Sequence, residues 1–158
     1  MAKGGAKWKK GPGKLGVLAP LLGSWQAETT SPMGPLRCTR TFTQVLGGKY
    51  VQLVARWYMG KGVYEEIALL GVRDGQLGFW SFTSDGKRSE GELASGKDVH
   101  PEAIAFEADM PAGRARMIYW PDEAEGFHWA VEARTAKGRR RLKQATCRIA
   151  PFGASHIR

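Results

Sequence analysis

The chain reads as a closed antiparallel β-barrel, and three observations predict it. Glycine-bearing turn signals recur from residue 24 to residue 151, at Gly47-Gly48, Gly60-Lys61-Gly62, Asp74-Gly75, Asp85-Gly86, Pro111-Ala112-Gly113, Glu125-Gly126 and Lys137-Gly138, at the spacing of hairpins. Between them, apolar and polar residues alternate with the period of two that half-buried strands require. Nowhere between strands does a helix-length stretch carry the 3.6 period that a bundle or a parallel α/β fold would need. Closure then removes the edges that so many strands would otherwise expose.

The turns delimit ten strands, expected at Ser24 to Thr30, Leu36 to Val45, Lys49 to Tyr58, Val63 to Val72, Gln76 to Phe82, Arg88 to Ala94, Ala103 to Asp109, Arg114 to Trp120, Phe127 to Thr135 and Arg139 to Ile149. In the third, Val51, Leu53, Ala55 and Trp57 share the face opposite Tyr50, Gln52, Arg56 and Tyr58, so the first set points inward. By the same rule Ile104, Phe106 and Ala108 point inward from the seventh strand, and Ala115, Met117 and Tyr119 from the eighth. In the ninth, Phe127, Trp129, Val131 and Ala133 face in, and His128, Glu132 and Arg134 face out. The fourth and fifth strands are apolar on both faces, with Ile67 and Leu69 beside Ala68 and Leu70, and Phe79 beside Trp80, which leaves room for a cap or a homodimer partner.

With 158 residues the chain is the size of one domain, expected as a flexible basic tail over 1–14 and a single barrel over 15–158. Five lysines, at positions 3, 7, 9, 10 and 14, precede the first acidic residue, Glu28, so the net charge of +9 falls to +4 for the rest. A second basic cluster holds Lys137, Arg139, Arg140, Arg141 and Lys143. Neither is interleaved with aromatic side chains beyond Trp8, so a nucleic-acid platform is not expected. Leu15 to Leu22 is apolar but short, and Pro20 interrupts it, so it reads as a short helix or turn closing one end of the barrel rather than as a secretory signal. No run of about 18 apolar residues occurs, so no membrane span is expected, and the chain is assigned to the cytoplasm. Cys38 and Cys147 fall on strands separated by the first, about 9–10 Å apart, which predicts buried free thiols rather than a disulfide.

Catalytic constellations are missing from the pattern. His100, His128 and His156 fall in a loop, on an outward face and near the C-terminal end, so no metal cluster is expected. No strand-turn-helix elbow carries a serine or cysteine nucleophile, and no Gly-rich turn opens a helix to cradle phosphate. No catalytic residue, metal or cofactor is assigned.

At Leu21-Leu22-Gly23-Ser24-Trp25 a short apolar segment ends in Gly-x-Trp on the first strand. This resembles the opening of calycin barrels, the superfamily of lipocalins and fatty-acid-binding proteins. Leu46-Gly47-Gly48-Lys49-Tyr50, and Leu70-Gly71-Val72-Arg73-Asp74-Gly75 leading to Trp80, resemble a bacterial lipocalin-like domain family of unknown function. The resemblance implies an up-and-down calycin-like barrel that binds a small apolar or amphipathic, anionic molecule. The haem-binding nitrobindin-like barrels are a neighbouring alternative, but Gly23-Ser24-Trp25-Gln26-Ala27-Glu28-Thr29 lacks the two later glycines of their opening motif. A ligating histidine there would have to be His156 or His128. A calycin-type enzyme, like phenolic acid decarboxylases, would use lumen Arg, Tyr and Glu, with Glu66 as the acid.

Cys38, Arg40 and Phe42 share one face of the second strand, so an inward Phe42 carries Arg40 inward with it. A guanidinium stays charged and must find a carboxylate, a ligand anion or water. Fatty-acid-binding barrels pair such an arginine with a tyrosine on a carboxylate head group. The resemblance therefore implies a ligand site of Arg40, Phe42, Trp57, Met117, Tyr119 and Trp129. The competing readings are an Arg40 paired internally to Glu28 or Glu66 or swung to the barrel mouth, and a lumen filled by aromatic side chains in a packed structural or interaction domain.

Overall fold

The computed structural model describes residues 7–31, 34–110, 113–124, 126–135 and 138–149. A 3-10 helix spans Lys14–Leu21, followed by β1 (Gly23–Ser31), β2 (Gly34–Val45), β3 (Tyr50–Met59), β4 (Gly62–Arg73), β5 (Gln76–Thr83), β6 (Arg88–Ala94), β7 (Ile104–Met110), β8 (Gly113–Pro121), β9 (Phe127–Thr135) and β10 (Gly138–Ile149). All ten expected strands are present, each end within two residues of its expected place. Every strand pairs antiparallel with its sequence neighbour, and β1 pairs with β10 through Trp25↔Ile149 and Gln26↔Arg148 to close the barrel. The turn glycines act as expected where the backbone must turn left-handed, as at Gly47 (φ 69°), Gly75 (φ 80°) and Gly86 (φ 85°).

Alternation sets what is buried. Val51, Leu53, Ala55 and Trp57 of β3, Ile104, Phe106 and Ala108 of β7, and Phe127 and Trp129 of β9 lie in the core, which the rings fill through edge-to-face contacts. Trp25 meets Phe127 at 4.8 Å, Tyr119 meets Phe127 at 5.6 Å, and Phe79 meets Phe106 at 5.8 Å between ring centroids. The helix lies against β3, β4 and β5 with Leu18 and Leu21 fully buried. It is pinned where Trp25 Nε1 donates to the Leu21 carbonyl (2.7 Å) and Lys14 Nζ donates to the Gly75 carbonyl. Before it, Trp8 packs partly buried against the same core. Cys38 and Cys147 are buried and free.

One stretch of outer wall is also buried. The segment between β6 and β7 folds back over β7, β8 and β9, and packs Val99 and Ala103 on Ala105, Ile118 and Ala130. Beneath it Arg116, outward by alternation, is 1% exposed. Its guanidinium donates to Glu132 Oε1 (2.6 Å), both Asp98 carboxylate oxygens (2.7 and 3.0 Å) and the Ser95 carbonyl (3.0 Å). On the opposite wall, Val63, Ile67 and Phe82 remain about half exposed on the outer face of β4 and β5.

Candidate functional site

Arg40, like Arg116, is among the largest fully buried side chains of the described residues. It reaches the lumen because β2 alternates Cys38, Arg40 and Phe42 inward, and it has space because its cross-strand neighbour on β3 is Ala55. Nη2 donates to Tyr119 Oη at 2.9 Å and lies 4.0 Å from Met117 Sδ, while Tyr119 Oη in turn donates to that sulfur at 3.5 Å. The guanidinium carbon sits 4.5 Å from the centre of the Trp129 ring, an attractive cation–π placement. Three donors in this region have no acceptor among the described residues: Arg40 Nε, Arg40 Nη1 and Trp129 Nε1.

No ion pair within 4 Å neutralises this cation among the described residues. Glu28 is exposed. Glu66 projects from β4 across Ala55, two strands from Arg40, and accepts a 2.5 Å hydrogen bond from Ser81 Oγ. Burial opposes the charge on Arg40, yet the surrounding Tyr119, Cys38, Glu66 and Cys147 outweigh it and hold the proton more firmly than usual. Burial raises the Tyr119 phenol, with Arg40 acting against the rise, so the pair is a cation and a neutral hydroxyl.

Beside this pair is a pocket of about 150 Å³, lined by Glu66, Phe79, Phe106, Met117 and Val131 together with Ser89, Ala108 and Ala115. Glu66, Ser89 and Ala115 lie on the halves of β4, β6 and β8 away from the helix, so the pocket occupies the lumen end that the helix leaves uncovered. Its Met117 wall is the side chain that touches Arg40 and Tyr119. A larger cleft of about 540 Å³ lies between the helix and the β2–β3 turn, and its charged groups, Lys14 and Lys49, are exposed.

The sequence-predicted residues thus assemble as one group. Phe42 meets Tyr119 edge-to-face at 5.9 Å, and Trp57 meets Trp129 at 5.5 Å. Sequence reasoning named neither Ser81 nor the convergence of the Trp129 indole N–H with the Arg40 donors, because both depend on register rather than on alternation. His128 lies on the outer face, with Nε2 3.1 Å from Asp122 and Nδ1 2.9 Å from Thr146 Oγ1, so it does not face the lumen. His156 lies outside the described residues. The described residues hold no group of three or more His, Cys, Asp or Glu side chains placed for a metal, and no helix long and apolar enough to cross a membrane.

Fold and lumen together define a closed ten-stranded antiparallel barrel with an arginine–tyrosine pair buried inside it. No family model matches the chain, and no curated protein matches it.

Proposed function

We propose that this barrel, calycin-like in architecture, is a non-catalytic binder of a small anionic molecule held in the lumen by Arg40 and Tyr119 and walled by Phe42, Trp57, Met117 and Trp129. The observation that carries the reading is a fully buried guanidinium with two unpartnered nitrogens, Nε and Nη1, and no carboxylate within ion-pair distance among the described residues. A desolvated cation in that state is stabilised most by a ligand anion, through charge-assisted hydrogen bonds.

The pocket bounds the ligand. Drug-sized ligands occupy about 300–1,000 Å³, whereas an apolar cavity of about 150 Å³ accommodates a single benzene ring. A long acyl chain does not suit a lumen this full of aromatic rings; a one-ring or short-chain acid does. Met117, flexible and unbranched, separates the pocket from Arg40, and its movement would join the two.

The test is titration with benzoate followed by Trp fluorescence, alongside mass spectrometry of the protein under non-denaturing conditions. Saturable benzoate binding that Arg40→Met removes, with toluene binding retained, supports the reading. No binding and no copurifying small molecule would favour the packed structural domain, for which the ring-filled core is the supporting observation.

A further inference from the structure

The lumen holds charges of both signs, held apart. Arg40 on β2 and Glu66 on β4 flank Ala55 of β3 in one lateral row, Arg40↔Ala55↔Glu66. Two strand spacings separate their backbones by about 9–10 Å. Both side chains project inward, yet no nitrogen of Arg40 comes within 4 Å of Glu66; Glu66 bonds Ser81 and Arg40 bonds Tyr119. Glu66 and Met117, the side chain in contact with Arg40, both line the 150 Å³ pocket.

Resting on the proposed lumen site, we infer that the ligand is a small zwitterion or its hydrogen-bonding equivalent, with an anionic group for Arg40, a ring-sized apolar body, and an ammonium or N–H donor for Glu66. A carboxylate inside a site for anions is the wrong sign for a purely anionic ligand, since it repels the incoming charge. It is the right sign for a molecule whose far end donates. A monocyclic ring with para substituents spans two such groups, and the pocket walls, Phe79, Phe106 and Val131, are apolar as the middle of that molecule requires. Ser81 orients the acceptor: its hydroxyl fixes one oxygen of Glu66 and so the direction in which the carboxylate can accept.

The experiment is calorimetric titration of the full-length protein with 4-(aminomethyl)benzoate and with 4-ethylbenzoate, near-isosteres that differ in whether an ammonium or a methyl group sits at the far end. The expected result is at least tenfold tighter binding of the aminomethyl compound to the wild type. In Glu66→Gln that preference should fall to threefold or less, with 4-ethylbenzoate binding unchanged or improved. Should Glu66→Gln not fold, Glu66→Asp, which withdraws the carboxylate by one methylene, should cut the preference while sparing 4-ethylbenzoate. Equal or tighter binding of 4-ethylbenzoate by the wild type overturns the zwitterion inference and leaves the anion site standing. Failure of both acids to bind overturns the anion site as well. An aminomethyl preference that persists in both Glu66 variants assigns the donor's partner elsewhere and overturns the role of Glu66.

Discussion

Replacing Arg40 with methionine separates ligand binding from folding, because the two should respond differently. Methionine keeps most of the side-chain volume and removes the charge. In the unliganded protein, taking the guanidinium out of water costs several kcal/mol. Against this stand one hydrogen bond to Tyr119, worth about 1.5–3 kcal/mol with a charged donor, and the face of Trp129, worth up to about 2 kcal/mol. With no ion pair among the described residues to add to these, gain and cost nearly cancel. Arg40→Met should therefore unfold in urea within about 1 kcal/mol of the wild type or somewhat later, the outcome seen when buried charges give way to apolar side chains. Benzoate, in contrast, should lose about 1.5–3 kcal/mol, roughly a 10- to 150-fold rise in Kd, while toluene changes little. A loss of more than about 2 kcal/mol in stability, or an equal loss for benzoate and toluene, would show that Arg40 is held by compensating interactions and serves the fold.

Other parts of the structure make independent predictions. Arg116→Met removes the buried cation shared by Glu132 and Asp98 and should cost more by chemical denaturation than Asp98→Asn, which acts at the exposed end of the same network and should cost less than about 1 kcal/mol. Burial pushes the Cys147 thiol up to about 12 from an ordinary 9.0, so the unfolded chain loses this proton first. Stability should hold below pH 9 and decline as pH rises toward 12, and Cys147→Ala should flatten that part of a denaturation-versus-pH profile. Both thiols should resist a thiol reagent at pH 8 in the native protein and react fully in urea; rapid native labelling of either would contradict their burial. Gly91→Ala would place a methyl 2.1 Å from the Glu107 carbonyl and 2.6 Å from the Phe79 ring, and should cost at least about 2 kcal/mol, visible as a lowered Tm.

The barrel was legible because its information is local. Six of the hairpins announce themselves by a glycine at positive φ, at Gly47, Gly60, Gly75, Gly86, Gly113 and Gly138, and each strand's inner face shows by alternation, which put Arg40, Tyr119 and Trp129 on the lumen side. Relations across strands were less legible. That Glu66 faces Arg40 over Ala55 without touching it depends on register through two ladders and on Ser81 holding the carboxylate. Arg116 shows the limit of alternation: it points outward as its strand requires, but the segment from Ser95 to Ala103 folds over it, and nothing in that polar, Gly-containing stretch says which way it turns. Pocket volume was likewise invisible, since it is what remains after the rings have packed around one another.

Because each ladder but one joins neighbours in sequence, the barrel's connectivity has almost no privileged beginning. Eight hairpins can zip from short turns and a ninth across residues 95–103, and only the meeting of residues 25 and 149 demands closure across nearly the whole chain. The late, slow step of folding is therefore expected at that seam, where the entropy of ring formation falls due all at once. A chain cut at the Gly47-Gly48 turn and spliced from β10 into β1 would keep the same cyclic order of strands, with the long-range join turned into a hairpin and the burden of closure moved to the β2–β3 ladder. The ring of strands encodes the architecture; where the polypeptide enters that ring is incidental to it.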